Sequence, residues 1–304
     1  MKRPLLLVCA LSATAYADVT EKSRVEVNPP GKAYKQVSID NPLGNVRIEG
    51  HDGAGIIIET HKHAPDEDAL DRLRVSLVPD PDGTVRITTH ADRSVESKPV
   101  PRKAVSIDIV IRAPRTVRFD ATVGSGKLEV RNMDAGGELD SASGTITVDN
   151  VQGELYTHSV TGHMSITKAF GSVDAATISS DVELDSISGQ KLVASANEGK
   201  IAGRRVRSRD VELTTISGKI TLEAEALPRG RIVVSSMRGD IDVKIRRQAQ
   251  TALLVRGRGT KVDLGAPMAT SGAWREAKLG SGGGATIVEM RANVLGFVQF
   301  SVIQ

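Results

Sequence analysis

Apolar and polar residues alternate in short phrases along the second half of the chain. In the phrase Ser143-Gly144-Thr145-Ile146-Thr147-Val148, apolar side chains stand two and four positions after the glycine, with polar ones between them. A period of two is typical of a β-strand with one buried face. The phrase recurs with its second residue, which we call the anchor, at positions 126, 144, 162, 180, 199, 218, 239 and 259.

A second short strand is predicted upstream of each anchor. The residues seven positions before the anchors are Phe119, Gly137, Leu155, Val173, Leu192, Val211, Ile232 and Ala252. The residues two positions before the anchors are Gly124, Ala142, Val160, Ile178, Asn197, Ile216, Met237 and Gly257. Each repeat therefore supplies two strands and a turn, in which a glycine anchor suits a positive φ.

The spacing of the anchors predicts the architecture. Successive anchors are 18, 18, 18, 19, 19, 21 and 20 residues apart. One such unit cannot bury its apolar face alone, whereas stacked units pair their backbones and fill a common interior. We therefore predict an all-β fold, a single-stranded β-solenoid (β-helix) with coils of about 18–21 residues. An antiparallel β-sandwich is the alternative, although it does not require the same phrase in register.

The same phrase also occurs outside the regular series. Gly44–Ile48 and Gly83–Ile87 match it, and their separations of 39 and then 43 residues to Gly126 are each close to two coils. Apolar runs at Ile56–Ile58 and Ile107–Ile111 are candidates for the intervening coils, and Gly296–Phe300 repeats the phrase once more. We expect less regular N-terminal coils over residues 18–117 and regular coils over residues 118–304.

Two segments interrupt the strand pattern in the N-terminal region. Pro65–Leu73 is interpreted as a loop or a single helical turn, because acidic residues near its start favour a helix N-terminus. Ser94–Arg102, which contains two prolines, is interpreted as a loop.

The first residues have the layout of a secretory signal peptide. Lys2 and Arg3 precede the apolar run Leu5–Leu11, and Ala15-Tyr16-Ala17 forms a small-residue cleavage site. Removal of residues 1–17 would also remove Cys9, the single cysteine, and leave 287 residues. No later apolar run reaches the roughly 20 residues of a transmembrane helix. We expect an exported protein, periplasmic or extracellular at the cell surface.

The N-terminal phrases and the coils together resemble a known family. The sequence Asn41–Ile48, the sequence Ile107–Pro114 and the Ser-Gly-x-Ile coils are similar to bacterial β-strand-repeat putative adhesins, over roughly residues 35–304. Those proteins are of uncharacterised function and are similar to the head domains of autotransporter adhesins. The resemblance implies a secreted or surface β-solenoid, and it brings no catalytic or cofactor-binding residues.

Histidines are the first candidates for chemistry. His61 and His63 would point the same way on a strand and, with His51 or His90, could hold a metal. The alternative is that they are solvated strand residues. We predict no cofactor.

Asp140 and His158 lie at equivalent positions of adjacent coils, with Ser159 next to the histidine. A catalytic triad is disfavoured, because the next residue of a strand points to the opposite face. An exposed ion pair between coils is the preferred interpretation.

Two further patterns resemble enzyme sites. The glycine-rich run Gly280–Ala285 is followed by strand-forming residues, whereas a dinucleotide-binding loop must open a helix.

Acidic pairs such as Glu183 and Asp185 occur on the coils, as in carbohydrate-active β-helix enzymes. Such enzymes would be expected to use aromatic subsites, but aromatic residues make up only 3% of this chain. We therefore do not predict an enzyme and keep a carbohydrate-active one as an alternative.

Charge is divided along the repeat. Residues 118–198 contain 12 acidic and 5 basic residues, a net charge of −7, whereas residues 199–262 contain 6 and 15, a net charge of +9. Without residues 1–17 the net charge is only +1, which gives no reason to expect nucleic-acid binding. The candidate patch for an anionic ligand consists of Arg204, Arg205, Arg207, Arg209, Arg246 and Arg247.

The sequence thus favours a non-catalytic binding or structural role at the cell envelope. The expected partner is an anionic envelope polymer, lipid headgroups or another protein. A dipolar rod could also associate side by side and antiparallel. The alternative to a binding role is an envelope scaffold that assembles through its terminal strand edges. The oligomeric state does not follow from the sequence.

Overall fold

The computed structural model describes residues 18–29, 33–92, 105–247, 251–281, 284–293 and 296–303. The expected signal peptide and the expected loop Ser94–Arg102 lie outside these residues. The described part is nearly all-β, and 24 strands join one long sheet with a solenoid-like repeat. No helix among the described residues is long and apolar enough to cross a membrane.

Each coil has two long sides, which we name by their position relative to the anchor. Side A is formed by the strand that precedes the anchor, and side B by the strand that follows it. The strands on side A are β2 Gln36–Asn41, β6 Thr84–Ala91, β8 Arg118–Val123, β10 Gly137–Ser143, β14 Ser188–Glu198, β17 Arg231–Arg238, β19 Leu253–Arg258 and β23 Thr286–Ala292. The strands on side B are β3 Val46–His51, β7 Ser106–Pro114, β9 Leu128–Met133, β13 Val182–Asp185, β16 Ile220–Glu225, β18 Ile241–Arg246, β20 Lys261–Asp263 and β24 Phe297–Ile303.

The remaining elements bend around corners or close the ends. Three long strands run from side B of one coil to side A of the next: β11 Ile146–Thr161, β12 Met164–Ser179 and β15 Ile201–Ser217. Five strands, each with antiparallel pairing, lie at the ends: β1 Val19–Val27, β4 Ile56–Ala64, β5 Leu73–Pro79, β21 Ala269–Ser271 and β22 Trp274–Leu279.

The apolar residues after the anchors stack into one buried column. Leu128 pairs in parallel with Ile146, which pairs with Met164, and the same register continues through Val182 and Ile201 to Ile220 and Ile241. None of these side chains is more than 1% exposed. The predicted stacking of like residues is therefore confirmed from the anchor at 126 to the anchor at 239.

Close approach, and not a positive φ, explains the first anchor glycines. A Cβ atom on Gly144 would lie 1.9 Å from the carbonyl oxygen of Gly126, and one on Gly218 would lie 1.8 Å from that of Gly199. Gly126, Gly144 and Gly218 do not adopt a left-handed φ, whereas Gly162 does. The expected positive φ is therefore present at some anchors and absent at others, and where it is absent glycine is needed because adjacent coils meet there backbone to backbone.

A second corner uses a left-handed residue that is not glycine. The residues six positions after five successive anchors have φ between 50° and 59°; they are Asn132, Asn150, Lys168, Ser186 and Arg205. The amide Nδ2 of Asn150 donates a 2.8 Å hydrogen bond to Oδ1 of Asn132 on the preceding coil. Asparagine tolerates this conformation better than lysine or arginine does.

At the N-terminal end, the order of coils in space departs from their order in the chain. Val46 pairs with Leu128 on one side and with Ile109 on the other, so the coil of Gly44 directly contacts the coil of Gly126. The interpretation of 39 and 43 residues as two coils each was therefore wrong. The chain leaves β3, forms the outermost strands and then returns to continue the stack.

The Gly83 phrase belongs to the other side of the coil. Val85 pairs with Val37, a side A residue, although its phrase resembles the side B pattern. The Ile56–Ile58 run lies in β4, which pairs antiparallel with β7, as Ile58 opposite Ile111 shows. A short helix, α1 Glu67–Leu70, fills the expected turn, and Oδ1 of Asp66 caps it by accepting a 2.7 Å hydrogen bond from the backbone N–H of Ala69.

The C-terminal end shows the same inversion. Val288 lies between Ile232 and Val255, and Val298 lies between Ile241 and Val262. The coil of Gly296 is therefore inserted before the coil of Gly259, and stacking in simple chain order fails here. The β19–β22–β21 strands close this end, just as β1, β4 and β5 close the other.

Candidate binding surfaces

An exposed row of mostly apolar residues runs along side A, two positions before successive anchors. We call this row the apolar ladder; its members are Ala142, Val160, Ile178, Asn197, Ile216 and Met237. The four large apolar side chains in it are between 38% and 45% exposed. Because parallel strands lie about 4.8 Å apart, the six residues span about 24 Å. An exposed apolar row of this kind is a candidate interaction site.

Strand alternation explains why the ladder faces solvent. Its neighbours in the chain, such as Ser159 and Thr215, point inward and are at most 2% exposed. The Ser159 hydroxyl donates to the carbonyl of Thr161 at 3.1 Å, and the Thr215 hydroxyl donates to that of Gly199 at 3.4 Å. The small hydroxyl residues thus occupy the interior while the larger apolar ones stay outside. The sequence already indicated this orientation. The residues seven positions before the anchors 144 to 239 are buried, and the ladder residues are five positions further along the same strand. Strand residues an odd number of positions apart point to opposite faces.

The surface beside the ladder carries few charges. The outward residues four positions before the anchors are His158, Ala176, Ser195, Thr214 and Ser235, and those six positions before are Tyr156, Asp174, Val193, Glu212 and Val233. The residues of each row lie in register on adjacent coils. We call these ten residues and the ladder from Val160 to Met237 the side A platform. It contains only two carboxylates.

Acidic residues gather on side A before the platform begins. Asp120 lies in register with Glu138 of the next coil. Burial and then the carboxylate of Glu138 raise the pKa of Asp120 above its ordinary value. The two carboxylates lie side by side on one sheet surface.

The expected contact between Asp140 and His158 of adjacent coils is present. His158 Nδ1 lies 3.6 Å from Oδ1 of Asp140, and both side chains are partly exposed. Ser159 is fully buried on the opposite face, so it cannot complete a triad with His158. Exposed pairs of this kind contribute little to stability.

Three of the four histidines considered as metal ligands have separate local partners. His51 accepts at Nδ1 from the backbone N–H of Gly53 and contacts the carbonyl of Gly55 through Nε2. His63 lies 3.4 Å from Asp18, and His90 lies 3.2 Å from Asp92. Among residues 18–29, 33–92 and the later described ranges, no group of three or more His, Cys, Asp or Glu could hold a metal ion.

The glycine-rich run leads into a strand, as the sequence indicated. Thr286–Ala292 forms β23 on side A. Gly282 and Gly283 lie outside the described residues. The acidic pair on the coil of Ser180 has basic partners, since Asp185 pairs with Arg205 and Glu183 lies 3.8 Å from His163.

Three of the candidate arginines have a carboxylate partner. Arg205 pairs with Asp185 and donates from Nε to the Ser186 hydroxyl at 2.9 Å. Arg207 lies 3.3 Å from Glu225, and Glu225 is in register with Arg246 on the next coil. Arg246 forms its ion pair with a different carboxylate, that of Glu223.

The other candidate arginines are placed differently. Arg246 itself lies 3.5 Å from Glu223, and Arg247 donates to the carbonyl of Thr251 at 3.3 Å. Arg204 and Arg209 are exposed and form no ion pair with the described residues. Among the six candidate arginines, these two are the ones that the described structure leaves available to a ligand.

One buried carboxylate was missed at the sequence level. The Glu129 side chain is only 3% exposed and pairs with Arg47 at 2.7 Å and with Lys127. Burial alone would raise the pKa of Glu129, but hydrogen bonds from Lys127 and Arg47 outweigh it, so the pKa is lowered. Since Arg47 belongs to the N-terminal coil, this cluster ties the irregular region to the first regular coil.

Comparison with known proteins assigns the chain to a family. The model of the Toastrack DUF4097 family matches residues 19–262, so the chain belongs to this family. No curated protein matches the chain significantly.

Twelve chains of solved structures match it. One, described as a "putative adhesin" from Bacteroides fragilis, is 14% identical, covers 94% of this chain and 99% of its own, and has a TM-score of 0.45. A "putative lipid binding protein" from Parabacteroides distasonis is 12% identical, with coverages of 94% and 97% and a TM-score of 0.43. A "putative adhesin" from Parabacteroides merdae is 9% identical, with coverages of 93% and 97% and a TM-score of 0.41.

Proposed function

We propose that this Toastrack DUF4097 protein is exported and acts in the cell envelope as a non-catalytic, adhesin-like binding rod. In this proposal residues 1–17 are a signal peptide, and the remainder is a single-stranded β-solenoid in the periplasm or at the cell surface. The in-register column from Leu128 to Ile241 supports this role, because a stack of coils offers an extended surface with fixed spacing.

We further propose that the basic half, residues 199–262, binds an anionic envelope polymer or anionic lipid headgroups. The observation that carries this proposal is the net charge of +9 in these residues, with Arg204 and Arg209 exposed and without ion pairs in the described structure. The acidic half, with a net charge of −7, would repel the same ligand and orient the rod.

Binding to polygalacturonate and to vesicles containing phosphatidylglycerol tests the proposal. Arg204, Arg205 and Arg207 are replaced together by glutamate, which we expect to weaken binding at least tenfold. Binding should also be lost at about 0.5 M salt, where charges are screened within a few ångströms. The two probes separate the polymer from the lipid as the source of the anion.

A matched control changes the net charge equally at the opposite end. Lys22, Arg24 and Arg74 are exposed and lie in β1 and β5. Their replacement by glutamate should leave binding within about twofold of wild type if the local patch is responsible. Equal loss in both triple variants, or binding that persists unchanged at high salt, would refute the proposed site.

A further inference from the structure

We propose that two copies of this chain associate side by side and antiparallel through the side A platform. The platform contains an exposed apolar row that no described segment of the chain covers, and the largest exposed apolar patch of a protein is often a functional surface. A second copy is the occupant that the charge distribution favours.

The ladder has a centre that suits a two-fold axis. Asn197 is the middle of the five ladder residues from Val160 to Met237, and the change from the acidic to the basic half falls between residues 198 and 199. An axis across the ladder at Asn197 places this residue against its own copy. It also places Ile178 against Ile216 of the second copy and Val160 against Met237 of the second copy.

The two edges of the platform, eight positions before the anchors and one position after them, carry opposite charges that face each other across the same axis. Glu154 then faces Arg231 of the second copy on one rim, and Asp181 faces Lys219 of the second copy on the other. All four side chains are exposed, and none forms an ion pair with the described residues. Two parallel copies would instead place acidic half against acidic half and basic half against basic half, and like charges at close range repel each other. Charge therefore selects the antiparallel arrangement.

The size of the platform fits a weak, reversible dimer. Five coils about 4.8 Å wide and three outward rows about 7 Å wide give each copy a footprint of roughly 24 Å by 20 Å, well below the roughly 800 Å² that each partner contributes to a standard interface. Asp174 also faces Glu212 of the second copy, and Lys191 faces its own copy, which lowers the affinity. We expect a dissociation constant on the order of micromolar.

Sedimentation velocity over a range of concentrations tests the association. The wild-type protein should shift from monomer to dimer, and Ile178→Lys should weaken the dimer roughly 100-fold, because each substitution enters the interface twice. Phe170→Lys is the matched control, since Phe170 is 60% exposed but lies outside side A. A monomer at all concentrations, or equal effects of both variants, would overturn the proposal.

A charge exchange tests the antiparallel register. Glu154→Arg and Arg231→Glu should each weaken the dimer about tenfold by opposing like charges across the interface. The double variant restores opposite charges at both contacts and should restore the dimer. Failure of the double variant to recover, while it remains folded by circular dichroism, would refute the antiparallel arrangement.

Cross-linking tests the position of the axis. In a Cys9→Ser background the introduced thiol is the sole cysteine of the chain. Asn197→Cys should form a disulfide-linked dimer under mild oxidation, because the residue meets its own copy. Phe170→Cys should remain monomeric. The reverse result, or no cross-link at position 197, would place the interface elsewhere.

Discussion

The regular coils and the two ends of the molecule differ in how their strands are ordered. Between residues 126 and 246, each coil lies beside the coil that precedes it in the chain, and one phrase is used again and again. At both ends a terminal coil is inserted into the stack, and antiparallel strands lie outside it. Within the repeat, each coil offers the next one the same pairing surface. At an end, the last strand must not pair with strands of another chain.

The edge strand β1 shows how one end is closed. Seven of its nine residues are exposed, and they include Glu21, Lys22, Arg24 and Glu26. Charged residues on an edge discourage pairing with another chain. This arrangement disfavours pairing of another chain with the β1 edge.

The largest expected difference between the two regions is the loss of stability when a glycine is replaced by alanine. Gly144→Ala places a Cβ atom 1.9 Å from the carbonyl oxygen of Gly126, so the coils must separate. We expect a loss of about 3 kcal/mol or more in the free energy of unfolding, measured in urea, because no flexible side chain can move aside.

The control for this prediction is Gly272→Ala in the C-terminal hairpin. A Cβ atom there meets nothing within 4 Å, and the only cost comes from its φ of 59°. The loss should be about 1 kcal/mol. Equal losses at the two positions would mean that contact between backbones does not set the stability of the regular coils.

The regular region was predictable because each coil is a local copy of its neighbours. Leu128, Ile146 and Met164 share a phrase, and residues that share a phrase stack when the period is constant. The ends were not predictable in the same way. Gly296–Phe300 repeats the phrase, but the insertion of its strand between β18 and β20 depends on contacts between distant segments that no local period encodes.

The candidate surfaces also differ in how far they could be predicted. The ladder follows from the alternation of inward and outward residues within one repeat, so it was available in the sequence. The Glu129 cluster was not, because it requires Arg47, which is 82 residues away in the chain. The six arginines were found by composition, but their partners Glu223 and Glu225 follow only from the register of adjacent coils.

The Glu129 cluster, which joins the N-terminal coil to the first regular coil, should make a pH-dependent contribution to stability. Glu129→Gln removes the buried charge that Arg47 and Lys127 share, and we expect a loss of about 2 kcal/mol in the free energy of unfolding at pH 7. Because the pKa of Glu129 is lowered in the folded protein, its contribution is complete above the ordinary glutamate pKa of about 4.3. The contribution disappears as the pH falls through the lowered pKa.

Urea unfolding of wild type and variant across this pH range measures the effect. Glu21→Gln is the control, because Glu21 pairs with Lys62 at an exposed edge and should contribute less than 1 kcal/mol. A difference between wild type and Glu129→Gln that stays constant down to pH 2 would contradict the assignment of the charge to this cluster.

The smallest expected effect concerns a corner of the regular coils, and it has the opposite sign. Lys168 adopts a φ of 53°, whereas the two preceding coils have asparagine at this corner, joined by a hydrogen bond. Lys168→Asn relieves the strain and can extend the row of amides, so we expect a gain of about 1 kcal/mol and a higher melting temperature. Both this variant and Lys168→Gln lose the exposed contact of Lys168 with Asp149, which lies 3.6 Å away. Since glutamine has no preference for the left-handed conformation, stabilisation by asparagine alone would show that backbone conformation limits the stability of the repeat.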